Sequence, residues 1–208
     1  QGNAGNQVKI SGPSSIVNSI IVGSCMWTQQ KSGTTMLGTM QSADDCRALG
    51  NAVEVDFPLS NQLATLAFNT ITGQGDGLVD ASQTGHGNKV VLANNILDGR
   101  RSDKRGDEAT FGYYGGDDNP VAVGWIGNLV HGIRHGNCPA DSICRDPMLR
   151  DPSFGSYDPA PRSGSPAIAA AAAKVNVGTD FRGKPRPARA SIGAMEYPTS
   201  FDGAQPRP

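Results

Sequence analysis

The sequence predicts an all-β fold, and within that class a right-handed parallel β-helix of about four to five coils. Three observations lead to this prediction. Glycine and proline (27 Gly and 14 Pro among 208 residues) interrupt nearly every window, which excludes long amphipathic helices and coiled coils. Four segments repeat one strand–Asn–strand–Gly pattern, and long polar insertions leave the repeat at one equivalent point.

Composition and charge narrow the class of protein. Hydrophobic residues make up 37% of the chain, and no stretch approaches the roughly 20 apolar residues of a membrane-spanning helix. The formal net charge is −1, so overall electrostatics does not favour binding to nucleic acid. We therefore expect neither a membrane span nor a nucleic-acid partner.

The repeat is anchored on asparagine, at Asn18, Asn69, Asn95 and Asn128. Between the second and third of these, one full cycle of three short strands and their turns can be read. Like residues of successive coils stack about 4.8 Å apart, so we expect the four side chains to form one column at a corner with left-handed dihedrals. The alternative is a β-sandwich with hairpin turns, but none of the four is followed by the Gly that such turns favour.

The insertions and the cysteines point to one edge of the solenoid. Long excursions follow Gly23 and Gly99, and a shorter loop follows Gly132, so we expect the long loops to stack together. The economical disulfide pairing is Cys25–Cys46 and Cys138–Cys144, which closes two of these loops. Such bridges predict an oxidising, extracellular compartment; four reduced thiols of a cytosolic protein are the alternative.

The last third of the chain carries a further pattern, which comprises Ser165-Pro166-Ala167-Ile168, Asp180, Gly183, Arg186, Ile192-Gly193-Ala194 and Glu196. It resembles the closing segment of secreted bacterial right-handed β-helix proteins of the pectate-lyase-like superfamily. The resemblance implies coils over residues 1–150, a closing and capping segment of the same domain over 151–198, and a Pro/Gly-rich tail over 199–208. In place of the acid usual after S-P-A-I stands an alanine run, Ala169 to Ala173, for which we expect a short capping helix.

The same resemblance places catalytic groups on the first strand of successive coils. With Val53 and Val55 inward, Glu54 and Asp56 face outward, and Asp80 lies one coil away. Stacked carboxylates about 5 Å apart shift one another's pKa and could act as an acid/base pair or bind Ca²⁺. The alternative is a set of solvated charges on the exterior of the sheet.

A basic insertion stands beside these carboxylates. The candidate catalytic cluster is Glu54, Asp56, Asp80, Arg100, Arg101 and His135, with His131 and Arg134 as further members. A lyase acting on uronic acids needs a cation to neutralise the carboxylate and a base to take a proton. The alternative is a solvated loop whose arginines pair with nearby acids.

Further acidic and aromatic residues complete the candidate set. Asp107, Asp117 and Asp118 are candidate ligands for Ca²⁺, although the turn at Asp117 lacks the ordered spacing of an EF-hand. Tyr113 and Tyr114 could stack on sugar rings, as could Trp27. Trp125 lies inside an apolar strand and is expected in the core.

Two classes of function follow. The first is an extracellular protein associated with polysaccharide, and if it is an enzyme, a lyase on acidic glycans or a glycoside hydrolase. The second is a non-catalytic structural or adhesin-like subunit. Because the chain opens almost directly on Val8-Lys9-Ile10, with nothing to cover the first coil, we expect an upstream or neighbouring chain to pack there.

Overall fold

Three parallel β-sheets dominate the computed structural model, which describes residues 7–23, 51–73, 77–100, 109–153 and 156–197. Within these residues there is no helix, and the strands are short. Sheet A contains β1 (Val8–Ser11), β4 (Asn51–Phe57), β7 (Gly77–Gln83), β10 (Ala109–Tyr114) and β13 (Ile133–His135). Sheet B contains β2 (Ser14–Val17), β5 (Leu63–Ala67), β8 (Lys89–Ala93) and β11 (Ala122–Ile126).

Sheet C contains β3 (Ile20–Gly23), β6 (Thr70–Gly73), β9 (Ile96–Gly99), β12 (Asn128–His131) and β14 (Ser142–Cys144). Up to β13 each sheet therefore takes every third strand, and β14 joins sheet C directly after β13. We call three successive strands, one in each sheet, a coil. Coil 1 is β1–β3, and coils 2, 3 and 4 follow in order. This topology is compatible with a parallel β-helix, because like strands of successive coils pair in parallel and in register.

Alternating side chains fill the space between the three sheets. In β4, Val53, Val55 and Phe57 are buried at 0–1% exposure, and the polar residues between them face outward. The same inward positions in coil 1 are less covered, since Val8 and Ile10 are only partly buried. Among the described residues, the core is therefore complete in coils 2 and 3 and only partly covered at coil 1.

An asparagine ladder runs along the corner between sheets B and C. Asn69 donates from Nδ2 to Asn95 Oδ1 at 3.0 Å, and Asn95 donates in the same way to Asn128 Oδ1 at 3.0 Å. The backbone N–H groups of Asn69 and Asn95 donate to the same two oxygens at 2.9 Å. All three side chains are fully buried. The predicted column is confirmed for these three residues.

The prediction for Asn18 is wrong by one position. In register with Asn69 stands Ser19, whose N–H donates to Asn69 Oδ1 at 2.9 Å. Asn18 instead joins a neighbouring column of residues with left-handed φ, which also contains Phe68 (54°), Asn94 (54°) and Gly127 (58°). The corner thus uses two adjacent positions: the left-handed residue makes the bend, and the residue after it supplies the ladder amide.

Two of the three predicted loop departures coincide, whereas after Gly132 the chain continues directly into β13 of sheet A. Gly23, Gly73 and Gly99 are in register at the end of sheet C, so the insertions after Gly23 and Gly99 leave from the same edge. The insertions themselves lie outside the described residues, as does the predicted Cys25–Cys46 bridge. The Cys138–Cys144 disulfide is confirmed.

The closing segment lies along the flank of the coils. It begins with an antiparallel pair, β15 (Leu149–Asp151) and β16 (Asp158–Pro161). A second apolar layer forms between this segment and the outer face of sheet C. It contains Ile96, Leu129, Leu149, Ala167 and Ile192.

The predicted short helix over Ala169–Ala173 is wrong. Ala169 has a left-handed φ of 54°, which breaks any helix at its first residue. Further on, Ala172 N–H donates to Asn94 Oδ1 at 2.7 Å, and Asn94 Nδ2 donates to the Ala172 carbonyl at 3.0 Å. The run is thus held as irregular chain against the corner, because these tertiary hydrogen bonds outweigh the high helix propensity of alanine.

The residues of the closing pattern form one buried polar group. The Arg186 side chain is 2% exposed, donates to Glu196 Oε1 at 2.6 Å and lies 4.2 Å over the Phe68 ring. It also donates to Asn18 Oδ1 at 2.8 Å, which ties the segment to coil 1. Asp180 accepts the N–H groups of Arg182 and Lys184. The pattern is therefore explained by packing, because these contacts hold the segment on the coils.

Candidate functional site

The outer face of sheet A brings three predicted residues together. Because Val53 and Val55 point inward, Glu54 and Asp56 project outward from β4. Asp80 is in register with Glu54 on the next strand. The predicted arrangement of the three carboxylates, two on one coil and one on the next, is confirmed.

Lys9 of coil 1 bridges two of the carboxylates. Its Nζ lies 2.5 Å from Glu54 Oε1 and 2.8 Å from Asp56 Oδ2, while the Ser82 hydroxyl donates to Asp56 Oδ1 at 2.6 Å. Lys9 is the exposed partner, so each exposed ion pair contributes little to stability. Its effect on the site is electrostatic, because its hydrogen bond helps to lower the pKa of Asp56.

The environments of Asp80 and Asp56 move their pKa values in opposite directions. Burial raises the pKa of Asp80, and the negative charge of Glu54 raises it further. Burial also raises the pKa of Asp56, but hydrogen bonds from Lys9 and Ser82 outweigh it, so the net shift is downward. Asp80 thus keeps its proton to a higher pH than Asp56 does.

Aromatic side chains adjoin the carboxylates on the same face. Tyr114 is in register with Asp80, and its ring centroid lies 5.2 Å from that of Phe111. A hydrogen bond to Asp117 raises the pKa of Tyr114. Tyr113 faces the interior instead, where its hydroxyl donates to the Val121 carbonyl at 3.0 Å.

Trp125 also belongs to the core, as predicted. It packs against the buried cluster between the sheets and meets the Tyr113 ring edge-on at 6.4 Å between centroids. Trp27 lies outside the described residues.

Arg100 joins a different group, on sheet C. Its Nε lies 2.5 Å from Asp98 Oδ2, and His131 Nδ1 lies 2.8 Å from Asp98 Oδ1. Asp98 is fully buried. The predicted cluster is therefore divided, with its three carboxylates on sheet A and Arg100 paired on sheet C.

Two other predicted members can be placed only in part. The backbone of His135 lies in sheet A in register with Phe111, and its side chain lies outside the described set. Arg101 lies in the segment 101–108, outside the described residues, as does Asp107. Arg134 is exposed in β13.

The predicted calcium ligands do not converge in the described part of the chain. Asp117 and Asp118 are exposed residues of the turn between β10 and β11. Among the described residues, no group of three or more His, Cys, Asp or Glu side chains is arranged to hold a metal ion. Calcium binding through Asp107, Asp117 and Asp118 stays a prediction.

Sequence reasoning missed Lys9 of the sheet A site and Asp98 of the sheet C group. It also missed Tyr157, on whose buried hydroxyl the charges of Asp98 and Arg100 act. A signal existed for Asp98, because the repeat places it level with Thr72 and His131, so that polar residues recur at one position of sheet C. Lys9 is in register with Glu54, and an alignment of coil 1 with coil 2 would have predicted this pairing. Tyr157 comes from the closing segment, and nothing in the repeat pointed to it.

No protein-family model matches the chain, and no curated protein is significantly similar to it. Across the residues that the structure describes, no helix is long and apolar enough to cross a membrane.

Proposed function

We propose that this chain is an extracellular right-handed parallel β-helix protein that binds polysaccharide on the outer face of sheet A and hydrolyses it there. The resemblance of residues 140–198 to the pectate-lyase-like superfamily supports the handedness and the substrate class. The Cys138–Cys144 disulfide supports an oxidising compartment.

One observation carries the proposed chemistry: Asp80 and Asp56 occupy neighbouring strands and have pKa values shifted in opposite directions. Neighbouring carboxyl groups with opposite shifts are the signature of an acid and a base. Asp80 is the proton donor to the glycosidic oxygen, and ionised Asp56 is the base that activates water. The two Cα atoms, one strand and two residues apart, are separated by about 8 Å. Because both side chains project from the same face, this spacing leaves room between the carboxyl groups for the water that an inverting glycosidase needs.

Hydrolysis fits this site better than β-elimination. The carboxylates outnumber Lys9, whose ammonium group is already bound to Glu54 and Asp56. A uronate would meet this negative charge, and Arg100, the expected cation, is paired with Asp98 on sheet C. The polysaccharide is therefore neutral at the subsite next to Asp80.

The aromatic pair gives the sugar a surface to pack against. Tyr114 adjoins Asp80 directly, and its contact with Phe111 fixes the two rings as one apolar patch. Sugar rings present an apolar C–H face that packs on aromatic side chains, while their hydroxyls find polar partners. The glycan would thus cross sheet A from the carboxylates to this patch.

The test is release of reducing ends from a panel of neutral and acidic polysaccharides. We expect Asp80→Asn and Asp56→Asn to lower kcat/KM by roughly 10²–10⁴-fold. Asp158→Asn is the matched control, because Asp158 is a partly exposed carboxylate of β16 paired with Arg150. Absence of cleavage on every neutral glycan would overturn the proposal, and an unsaturated product from a uronate polymer would replace hydrolysis by the lyase reaction.

A second candidate function, assembly through coil 1, has its own support. β1, β2 and β3 lie at the edges of their three sheets, and the inward side chains of Val8, Ile10 and Ile16 are only partly buried. Open strand edges with an apolar interior are templates for another chain. A second copy stacked on coil 1 would cover the strand edges and the apolar side chains.

Sedimentation over a range of concentrations tests assembly. We expect concentration-dependent polymers that Ile10→Lys disperses, whereas Leu63→Lys, at an exposed position on sheet B, leaves them intact. Circular dichroism must show that Ile10→Lys is folded. A monomer at all concentrations would rule this function out.

A further inference from the structure

A buried carboxylate on sheet C has two cationic partners that reach the surface. Asp98 is fully buried, with Oδ2 at 2.5 Å from Arg100 Nε and Oδ1 at 2.8 Å from His131 Nδ1. The Arg100 side chain is 27% exposed and that of His131 is 36% exposed. Asp98 is thus shielded from water by groups that are themselves accessible.

The contact with Asp98 determines how His131 is oriented. In the tautomer that donates from Nδ1 to the carboxylate, Nε2 carries the lone pair, and 36% of the His131 side chain is exposed. A buried carboxylate on one imidazole nitrogen and a lone pair on the other is the arrangement of a histidine base and its orienting acid. Asp98 is held in turn, because Thr72 Oγ1 donates to its backbone carbonyl at 2.7 Å.

Within the described residues, two polar groups around this pair have no hydrogen-bond partner. Arg100 makes its hydrogen bond through Nε, and no described residue pairs with its two terminal NH₂ groups. The buried hydroxyl of Tyr157 has no hydrogen-bond partner there. Tyr157 packs against the apolar layer that contains Ile96 of β9, the strand that carries Asp98, and the charges of Asp98 and Arg100 act on its hydroxyl. A buried polar atom without a partner is rare in a native protein and marks a place where a ligand or water can bind.

We propose that His131, Arg100 and Asp98 form a second catalytic site, separate from sheet A, that hydrolyses carboxylic esters. His131 and Arg100 are the catalytic residues, and Asp98 is a positioning residue. The inference does not depend on the function proposed for sheet A.

The reaction balances with water as the only co-reactant. His131 Nε2 takes one proton from water as its oxygen attacks the ester carbonyl carbon, and the π electrons move onto the carbonyl oxygen. The Arg100 guanidinium stabilises that oxyanion. When the carbonyl re-forms, the bond to the alkoxy oxygen breaks and the alcohol leaves with the proton from Nε2. The products are a carboxylic acid and an alcohol, and His131 returns to its neutral form.

Hydrolysis of p-nitrophenyl acetate by the full chain tests this site. We expect His131→Gln to lower kcat/KM by roughly 10²-fold or more, and Arg100→Gln to lower kcat with little change in KM. His86→Gln is the matched control, since His86 is exposed on the turn between β7 and β8. A rate equal to that of the same concentration of free imidazole, or an unchanged rate in His131→Gln, would overturn the proposal.

The pH profile of the unaltered protein gives a second readout that requires no variant to fold. The hydrogen bond to Asp98 raises the pKa of His131, burial opposes it, and the charges of Asp98, Asp146 and Arg100 act on the ring as well. Since the neutral ring is the base, kcat/KM should rise with pH around the His131 pKa that nuclear magnetic resonance measures in the same protein. Asp98→Asn should move both values down together. A rate profile that does not follow the measured titration would reject His131 as the base.

Discussion

At the scale of single residues, Asn95 shows how much one side chain can satisfy at the corner of the coils. Its Oδ1 accepts both the N–H and the Nδ2–H of Asn69, and its own Nδ2 donates to the Leu66 carbonyl at 2.8 Å. All of these groups are buried, so water cannot replace the Asn95 side chain as a hydrogen-bond partner if it is removed. A buried polar group left without a hydrogen bond costs about 1–3 kcal/mol.

We therefore expect Asn95→Ala to lower the free energy of unfolding by about 3 kcal/mol. Urea denaturation measures the change, and Asn176→Ala, at an exposed position of the closing segment, should stay within about 0.5 kcal/mol of the original protein. A loss below about 1 kcal/mol for Asn95→Ala would mean that the ladder is not a source of stability.

The residue scale also shows what a repeat can and cannot predict. The alternation in β4 was sufficient to predict that Glu54 and Asp56 face outward, because Val53 and Val55 can only be inward. It could not distinguish Asn18 from Ser19 as the ladder residue. An asparagine suits both the left-handed bend and the ladder, so its identity does not fix the register.

At the scale of elements, the closing segment is held by a few buried polar contacts. Arg186 is the centre of these contacts: it pairs with Glu196, reaches Asn18 of coil 1 and covers the ring of Phe68. Burial alone lowers the pKa of this guanidinium, so its charge depends on Glu196 for compensation. Removing one partner of a buried ion pair leaves the other charge unpaired.

Arg186→Gln should therefore destabilise the protein by about 3–5 kcal/mol. Hydrogen exchange locates the effect, and we expect the amides of β3 and of residues 191–196 to exchange faster than those of β7. Arg182→Gln removes an exposed charge from the same segment and should leave the pattern unchanged. Equally faster amide exchange in all three sheets would show that Arg186 does not stabilise the closing segment and β3 locally.

Elements were predicted best where the pattern repeats. The three strands of each coil follow from the recurring apolar runs, whereas the closing segment occurs once and has no second copy for comparison. Its alanine run illustrates the consequence. Local propensity was the only available argument, and the contacts of Ala172 with Asn94 overrode it.

At the scale of the whole molecule, the position of each coil decides which polar residues meet. Arg100 follows β9 in sheet C and Glu54 lies in sheet A, so residues that seemed to belong together lie on different faces. The sequence predicts the coils, but it does not show whether the side chain of a residue at a coil boundary contacts the sheet before it or the sheet after it. Arg100 reached Asp98 because both stand at the end of β9.

The His131–Asp98 pair makes global stability depend on pH. The pKa of His131 is raised on folding, so the protonated form favours the folded state. This contribution is fully present below the unfolded pKa of about 6.5 and is lost as pH rises through the folded value. The free energy of unfolding should therefore fall across that window.

Urea denaturation at a series of pH values measures this fall. The decrease should be absent in His131→Gln. It should be retained in His86→Gln, because His86 is exposed in the original protein. An identical decrease in both variants would assign the dependence to other groups.

The reach of Arg186 back to Asn18 has a consequence for biosynthesis. The two residues are 168 positions apart, and at translation rates of roughly 5–20 residues per second the partner of Asn18 is made on the order of ten to thirty seconds later. During that interval coil 1 has its three strands but lacks the hydrogen bond from Arg186 to Asn18. A chain still on the ribosome therefore lacks this hydrogen bond until its closing segment has been synthesised.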